Sequence, residues 1–177
     1  MATLMFDDLP GSVGVFVAPP GQGKTFIMLL FALYIMEKRN VKKVYLFTPH
    51  PIVSEQMRTM LTDYLPSDDK EILIRHEADF SQCSLEDKTV VFILDEGDEY
   101  LKRHAIDFKG VKPSGLNALR GHTVYFVTAT YDDLSKRMLQ EVFNPKTKHL
   151  VEVPSINALT TGNSNHDVSG TILRETW

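Results

Sequence analysis

Apolar residues in this chain fall into short, nearly unbroken runs separated by polar stretches with helical spacing. The runs at 13–17, 41–48, 71–75, 89–94, 123–128 and 150–153 are rich in Val, Ile, Phe and Leu and have strand length. Continuous rather than alternating hydrophobicity is what strands buried on both faces require. Between them, 24–38, 52–64, a short piece at 114–119 and 132–142 read as helices. Asp132-Asp133 supplies an acidic helix start and Asn144-Pro145 a stop. This alternation predicts an α/β fold, a mainly parallel sheet with helices on both faces. Residues 26–36 are all apolar, and the lack of a polar face predicts a helix covered on most sides. The run is shorter than the roughly 20 residues that span a bilayer, so no membrane insertion is expected.

Two stretches read as irregular. Residues 109–115 hold two glycines and a proline and predict a loop, while from Asn157 onward the chain is polar and aperiodic. The expected division is one domain over 1–156 and a polar tail over 157–177, or a junction there to a second domain.

Composition narrows the chemistry. At 177 residues, 43% hydrophobic and 24% charged, the chain fits one soluble domain with a sizeable core. A net charge of −4 gives no global basic field to draw nucleic acid, which counts against tight autonomous binding. Cys83 is the only cysteine, so neither an intramolecular disulfide nor a cysteine-built zinc site can form. The N-terminus lacks the basic and apolar regions of a signal peptide, and an intracellular setting is expected. The six histidines show no metal-ligand spacing.

Ala18-Pro19-Pro20-Gly21-Gln22-Gly23-Lys24-Thr25 lies between the first strand and the first helix, the context of a Walker A phosphate-binding loop. Glycines let backbone amides turn inward, and the helix N-terminus adds positive potential. Pro20, Gly21, Gln22, Gly23, Lys24, Thr25 and Phe26 are therefore the candidate ATP-binding residues. Lys24 would reach the β/γ-phosphates and Thr25 would offer its hydroxyl to Mg²⁺. Asp95-Glu96-Gly97-Asp98-Glu99 follows a buried strand, where α/β sheets place ligands. Asp95 would hold Mg²⁺, and Glu96 would orient and deprotonate the attacking water, making Glu96, Lys24 and Asp95 the catalytic candidates. A solvated acidic turn is the commonest form of such a run; the strand before it and the Lys-Thr loop upstream favour a site. Thr128-Ala129-Thr130 ends a later strand, and its hydroxyls could bridge the acidic cluster to whatever packs above the sheet.

Together these motifs resemble the first RecA-like domain of superfamily 2, DEAD-box-like helicases and ATPases, a P-loop NTPase fold. Residues 18–25 match the A-x-x-G-x-G-K-T motif, Asp95–Asp98 looks like D-E-x-D, and Thr128-Ala129-Thr130 resembles S-A-T. Thr48-Pro49 with Gln56 is a fainter echo of the motif after the second strand. The resemblance covers about residues 13–153 and implies coupling roles for Asp98, Thr128 and Thr130. It also implies ATP and Mg²⁺ as cofactors, RNA or DNA as partner of a complete motor, and a second RecA-like domain or partner chain.

Pro49-His50-Pro51 departs from the family's basic second-strand motif, and neither an adenine-reading glutamine nor a G-R-x-G-R motif is present. The expected result is an ATP-binding half-motor with weak ATPase of its own. Three alternatives stay open: a nucleotide-responsive regulatory module in which ATP orders the 97–115 region, a nucleoside kinase, and a viral packaging-type ATPase.

Overall fold

The computed structural model describes residues 11–62, 64, 69–76, 80–107, 115–143, 148–152 and 172–174. Strands β1 (Val13–Val17), β2 (Lys43–Phe47), β3 (Glu71–Arg75), β4 (Val91–Asp95), β5 (Thr123–Thr128), β6 (Lys148–Glu152) and β7 (Ile172–Arg174) form one sheet. Its order is β3-β2-β4-β5-β1-β6-β7. All neighbours run parallel except the antiparallel β6–β7 pair. Helices α1 (Lys24–Lys38), α2 (Pro51–Thr62), α3 (Gly97–Asp107) and α4 (Asp133–Phe143) connect the strands. The α/β reading with a mainly parallel sheet therefore holds.

The core divides by sheet face. Met28, Leu29, Ala32, Ile35 and Met36 of α1 and Met57 and Leu61 of α2 pack on one face, against Leu46, Ile93 and Tyr125. Leu101 of α3 and Met138, Leu139 and Val142 of α4 pack on the other, against Phe47, Phe92 and Phe126. β4 and β5 are buried along their whole length, which is why they read as unbroken apolar runs.

Four features differ from the sequence expectations. α1 leaves Phe26 53% and Leu30 46% exposed, with Ile27 also at the surface. A helix apolar all round still turns only one side to a sheet, so α1 is not covered on most sides. Gly97–Asp107, which the sequence reading left unassigned before the expected 109–115 loop, is helical. Within the 97–115 region only 108–114 lie outside the described residues. Much of the expected tail lies outside them too, but Ile172–Arg174 adds a strand beside β6. Residues 115–119 form a 3₁₀ turn.

Two glycines make room for the large rings of β5. Gly14 pairs with Tyr125 across the β1–β5 ladder, and a Cβ there would lie 2.4 Å from the ring. The Tyr125 ring then meets Phe31 edge-on at 4.8 Å. On the opposite face a Cβ on Gly97 would lie 2.7 Å from the Cβ of Phe126 and 3.1 Å from its Cα. Because backbone cannot yield as a flexible side chain can, Gly97→Ala should destabilise the fold by about 1–3 kcal/mol. Urea unfolding checks this: the midpoint should fall with an unchanged slope, and a wild-type midpoint would refute the close packing.

Candidate functional site

The parallel register sets the site. Phe47 of β2 lies beside Leu94 of β4, and Asp95 beside Val127 of β5. The residues that follow or end these strands, Thr48, Asp95 and Thr128, therefore gather at one edge of the sheet. Val17 of β1 lies beside Thr128, and the Ala18 N–H continues the ladder to the Thr128 carbonyl at 2.9 Å. The glycine-rich loop thus leaves the same edge that carries the acidic cluster.

Gly21 and Gly23 have φ of 76° and 70°, and no atom lies within 4 Å of where their Cβ would be. Left-handed backbone at both positions favours glycine. Gly23 caps α1 without a side-chain hydrogen bond, and no acidic residue lies in the first turn. The first amides of α1 thus have no side-chain cap, and the helix end keeps its positive potential. Pro20, Gly21, Gly23 and Phe26 are exposed; Gln22, Lys24 and Thr25 are half-buried.

Lys24 Nζ lies 3.2 Å from Glu96 Oε1, the two side chains being 13% and 29% exposed. Glu96 has φ of 50°, a left-handed conformation that costs a non-glycine residue about 1–2 kcal/mol. This turn joins β4 directly to α3. Asp95, 5% exposed, accepts a hydrogen bond from the Thr48 hydroxyl at 3.2 Å and one from the Glu96 N–H at 3.0 Å. Burial, and then the neighbouring Glu96 carboxylate, push the Asp95 carboxyl above its usual range, against the pull of Thr48, the Glu96 amide and Lys24.

Asp98 forms a second cluster. Its Oδ1 accepts from the Thr128 hydroxyl at 2.5 Å and its Oδ2 from the Thr130 hydroxyl at 2.9 Å. Lys102, one turn along α3, lies 2.9 Å from the same Oδ2. Partial burial raises the Asp98 carboxyl, but bonds from Thr128, Lys102 and Thr130 outweigh it and leave the group below its usual range.

The predicted residues thus form two adjoining groups. Lys24 and Glu96 meet beside Asp95, and Asp98 meets Thr128 and Thr130. Thr25 takes the second position of α1, directly after Lys24. Sequence reasoning assigned no role to the Thr48 hydroxyl or to Lys102. Thr48 was visible as the end of a strand, but only the β2–β4 register sets it beside Asp95. Lys102 carried a signal in its spacing, four residues after Asp98, once 97–107 is read as a helix.

Residues 11–151 match the family described as type III restriction enzyme, res subunit. Among solved structures, the helicase domain of Pyrococcus furiosus Hef is similar at 15% identity with a TM-score of 0.49. That likeness covers 85% of this chain, which spans 36% of the Hef structure. No curated protein sequence matches the chain. The family match takes in the glycine-rich loop, the acidic strand end and the Thr128–Thr130 motif, so the chain belongs to the type III restriction enzyme res-subunit family and is a first RecA-like domain of superfamily 2 helicase type.

Proposed function

We propose that the chain is the ATP-binding half of a superfamily 2-type helicase or translocase motor, with Mg-ATP held at the 18–25 loop. The observation that carries this reading is the meeting of Lys24, from the loop, with Glu96, beside buried Asp95, at the carboxyl edge of the sheet.

The residues fit a magnesium nucleotide. Among the described residues no three His, Cys, Asp or Glu side chains gather to hold a metal. One buried carboxylate and one threonine hydroxyl, Asp95 and Thr25, suit an ion that keeps its waters and arrives with phosphates. Asp95 and Thr25 would hold the ion, which would supply positive charge to offset that of the phosphates.

In this reading Lys24 and the loop amides bind the phosphates, and Asp95 is kept in place by Thr48. Glu96 orients the attacking water and accepts its proton, at an angle fixed by its left-handed backbone. Asp98, Thr128 and Thr130 couple the site to the part of the motor that closes over it. A second RecA-like domain or partner chain, and RNA or DNA, would complete that motor. No helix among the described residues is long and apolar enough to cross a membrane.

Hydrolysis by this chain should be slow. Arg103 pairs with Glu99 at 3.8 Å, and Arg137 with Glu141 at 3.8 Å. Arg120 donates to the carbonyls of Val142 and Glu141 at the end of α4. None of the three contacts Lys24, Asp95 or Glu96 in these pairings, and an opposed arginine contributes about 10³–10⁵ in rate where one acts.

Isothermal titration and a phosphate-release assay test the assignment together. Lys24→Ala should weaken Mg-ATP binding about tenfold or more, as expected when roughly 1.4 kcal/mol of a charge-assisted contact is lost. Glu96→Gln should bind normally but lose about 10²-fold or more of whatever turnover is measured. Wild-type affinity in Lys24→Ala would sink the proposal. Phosphate passed to a nucleoside rather than to water would favour the kinase alternative.

The raised Asp95 carboxyl gives a second test. A folded-state value above the unfolded one means the folded protein holds the proton more tightly, so stability declines as pH rises through that window. Asp95→Asn should therefore leave the melting temperature at pH 7 unchanged or higher while abolishing the extra stabilisation from Mg-ATP. A lower melting temperature with that stabilisation intact would contradict the role.

A further inference from the structure

Lys102 has no part in the motifs, yet it joins the second cluster to the cap of α4. Its Nζ lies 2.9 Å from Asp98 Oδ2 and 3.1 Å from Asp132 Oδ2. Asp132 is the cap of α4, accepting the Ser135 N–H at 2.9 Å. The Ser135 N–H first, and then Lys102, hold the Asp132 carboxyl at about 2. One cation therefore ties the helix after β4 to the helix after β5, across the strand end that carries Thr128 and Thr130.

The two arms of Lys102 differ in setting. Asp132 is half exposed, and an ion pair there is screened by water. Asp98 is 8% exposed, and its other donors are the neutral hydroxyls of Thr128 and Thr130. Lys102 is thus the full positive charge bonded to a buried carboxylate, which needs a charged partner to stay ionised. The Thr128 hydroxyl has one proton for two acceptors, Asp98 Oδ1 at 2.5 Å and the Thr130 carbonyl at 2.8 Å, while its oxygen accepts the Thr130 N–H at 3.2 Å. A protonated Asp98 carries a donor of its own and has less acceptor capacity for the two threonines.

We propose that Lys102 is the positioning residue of the coupling cluster: it keeps Asp98 turned to receive Thr128 and Thr130, and through Asp132 it fixes the start of α4 to the same cluster. This rests on the reading of Asp98, Thr128 and Thr130 as the coupling side of an ATP site. Nucleotide-driven changes at the loop and acidic cluster then reach α4 through Lys102, so α4 is a surface on which the rest of a motor senses the nucleotide.

The test uses the full chain, with carboxyl-resolved NMR titration and amide spectra recorded with and without Mg-ATP. Lys102→Met should raise the titration midpoint of Asp98 by about one pH unit or more, and Lys102→Arg should restore it. On addition of Mg-ATP, the amides of Gly23, Lys24 and Thr25 should shift in all three proteins. Those of Ser135 and Lys136 should shift in wild type and Lys102→Arg but not in Lys102→Met. An unchanged Asp98 midpoint in Lys102→Met would overturn the positioning role. Asp132→Asn keeps a capping side chain and tests the second arm separately, even if Lys102→Met does not fold. It should leave the Asp98 midpoint low and abolish the Ser135 response; a retained response overturns the link to α4. If Gly23, Lys24 and Thr25 do not respond even in wild type, the ATP-site reading fails, while the Asp98 titration still decides the role of Lys102.

Discussion

Everything at the candidate site depends on the parallel register of β2, β4, β5 and β1. Parallel pairing brings equivalent ends of strands together, so one alignment delivers Thr48, Asp95, Thr128 and Ala18 to one side of the sheet. A slip of one residue in β4 would turn Asp95 toward the opposite face and move an apolar residue into its place. The core enforces the register, because β4 and β5 are packed on both faces and each alternate residue has its own cluster to fill. Packing on two sides thus fixes the position of a carboxylate that packs with neither.

The two carboxylates of the strand end have opposite electrostatic settings within one turn of chain. Asp95 is buried with hydroxyl and amide donors and a neighbouring negative charge, which disfavours its ionised form. Asp98 is also largely buried, yet two hydroxyls and an ammonium group make ionisation easier for it. Such divergence is how a short acidic run supports separate tasks. A carboxylate whose ionised form is disfavoured gains from a further cation, and one already paired is suited to hold its neighbours in place.

Much of this was legible from residues alone, and the failures have physical causes. Strands buried on both faces announce themselves as apolar runs, and a glycine-rich loop before an apolar helix has few other readings. α3 was missed because, among its described side chains, the buried positions Gly97, Asp98, Tyr100, Leu101 and His104 include only two that are strongly apolar. The exposure of Phe26 and Leu30 was missed because hydrophobicity records what a residue tolerates, whereas burial depends on which side of the helix meets the sheet. Thr48 and the second partner of Lys102 lay beyond sequence reasoning for a different reason. Strand register sets Thr48 beside Asp95, and the start of another helix brings Asp132 to Lys102; neither is a property of the local chain.

The position of β1 bears on how the domain is made. Both of its neighbours, β5 and β6, come from late in the chain: Val13 pairs with Val124 on one side and Lys148 on the other. While β2, β3 and β4 can align during synthesis, β1 and the loop that follows it have no ladder to join until β5 has emerged. Closure of the sheet is therefore a long-range, late event that carries the entropic cost of a large loop. The acidic strand β4 can pair with β2 before β1, which leads into the glycine-rich loop, has either of its neighbours.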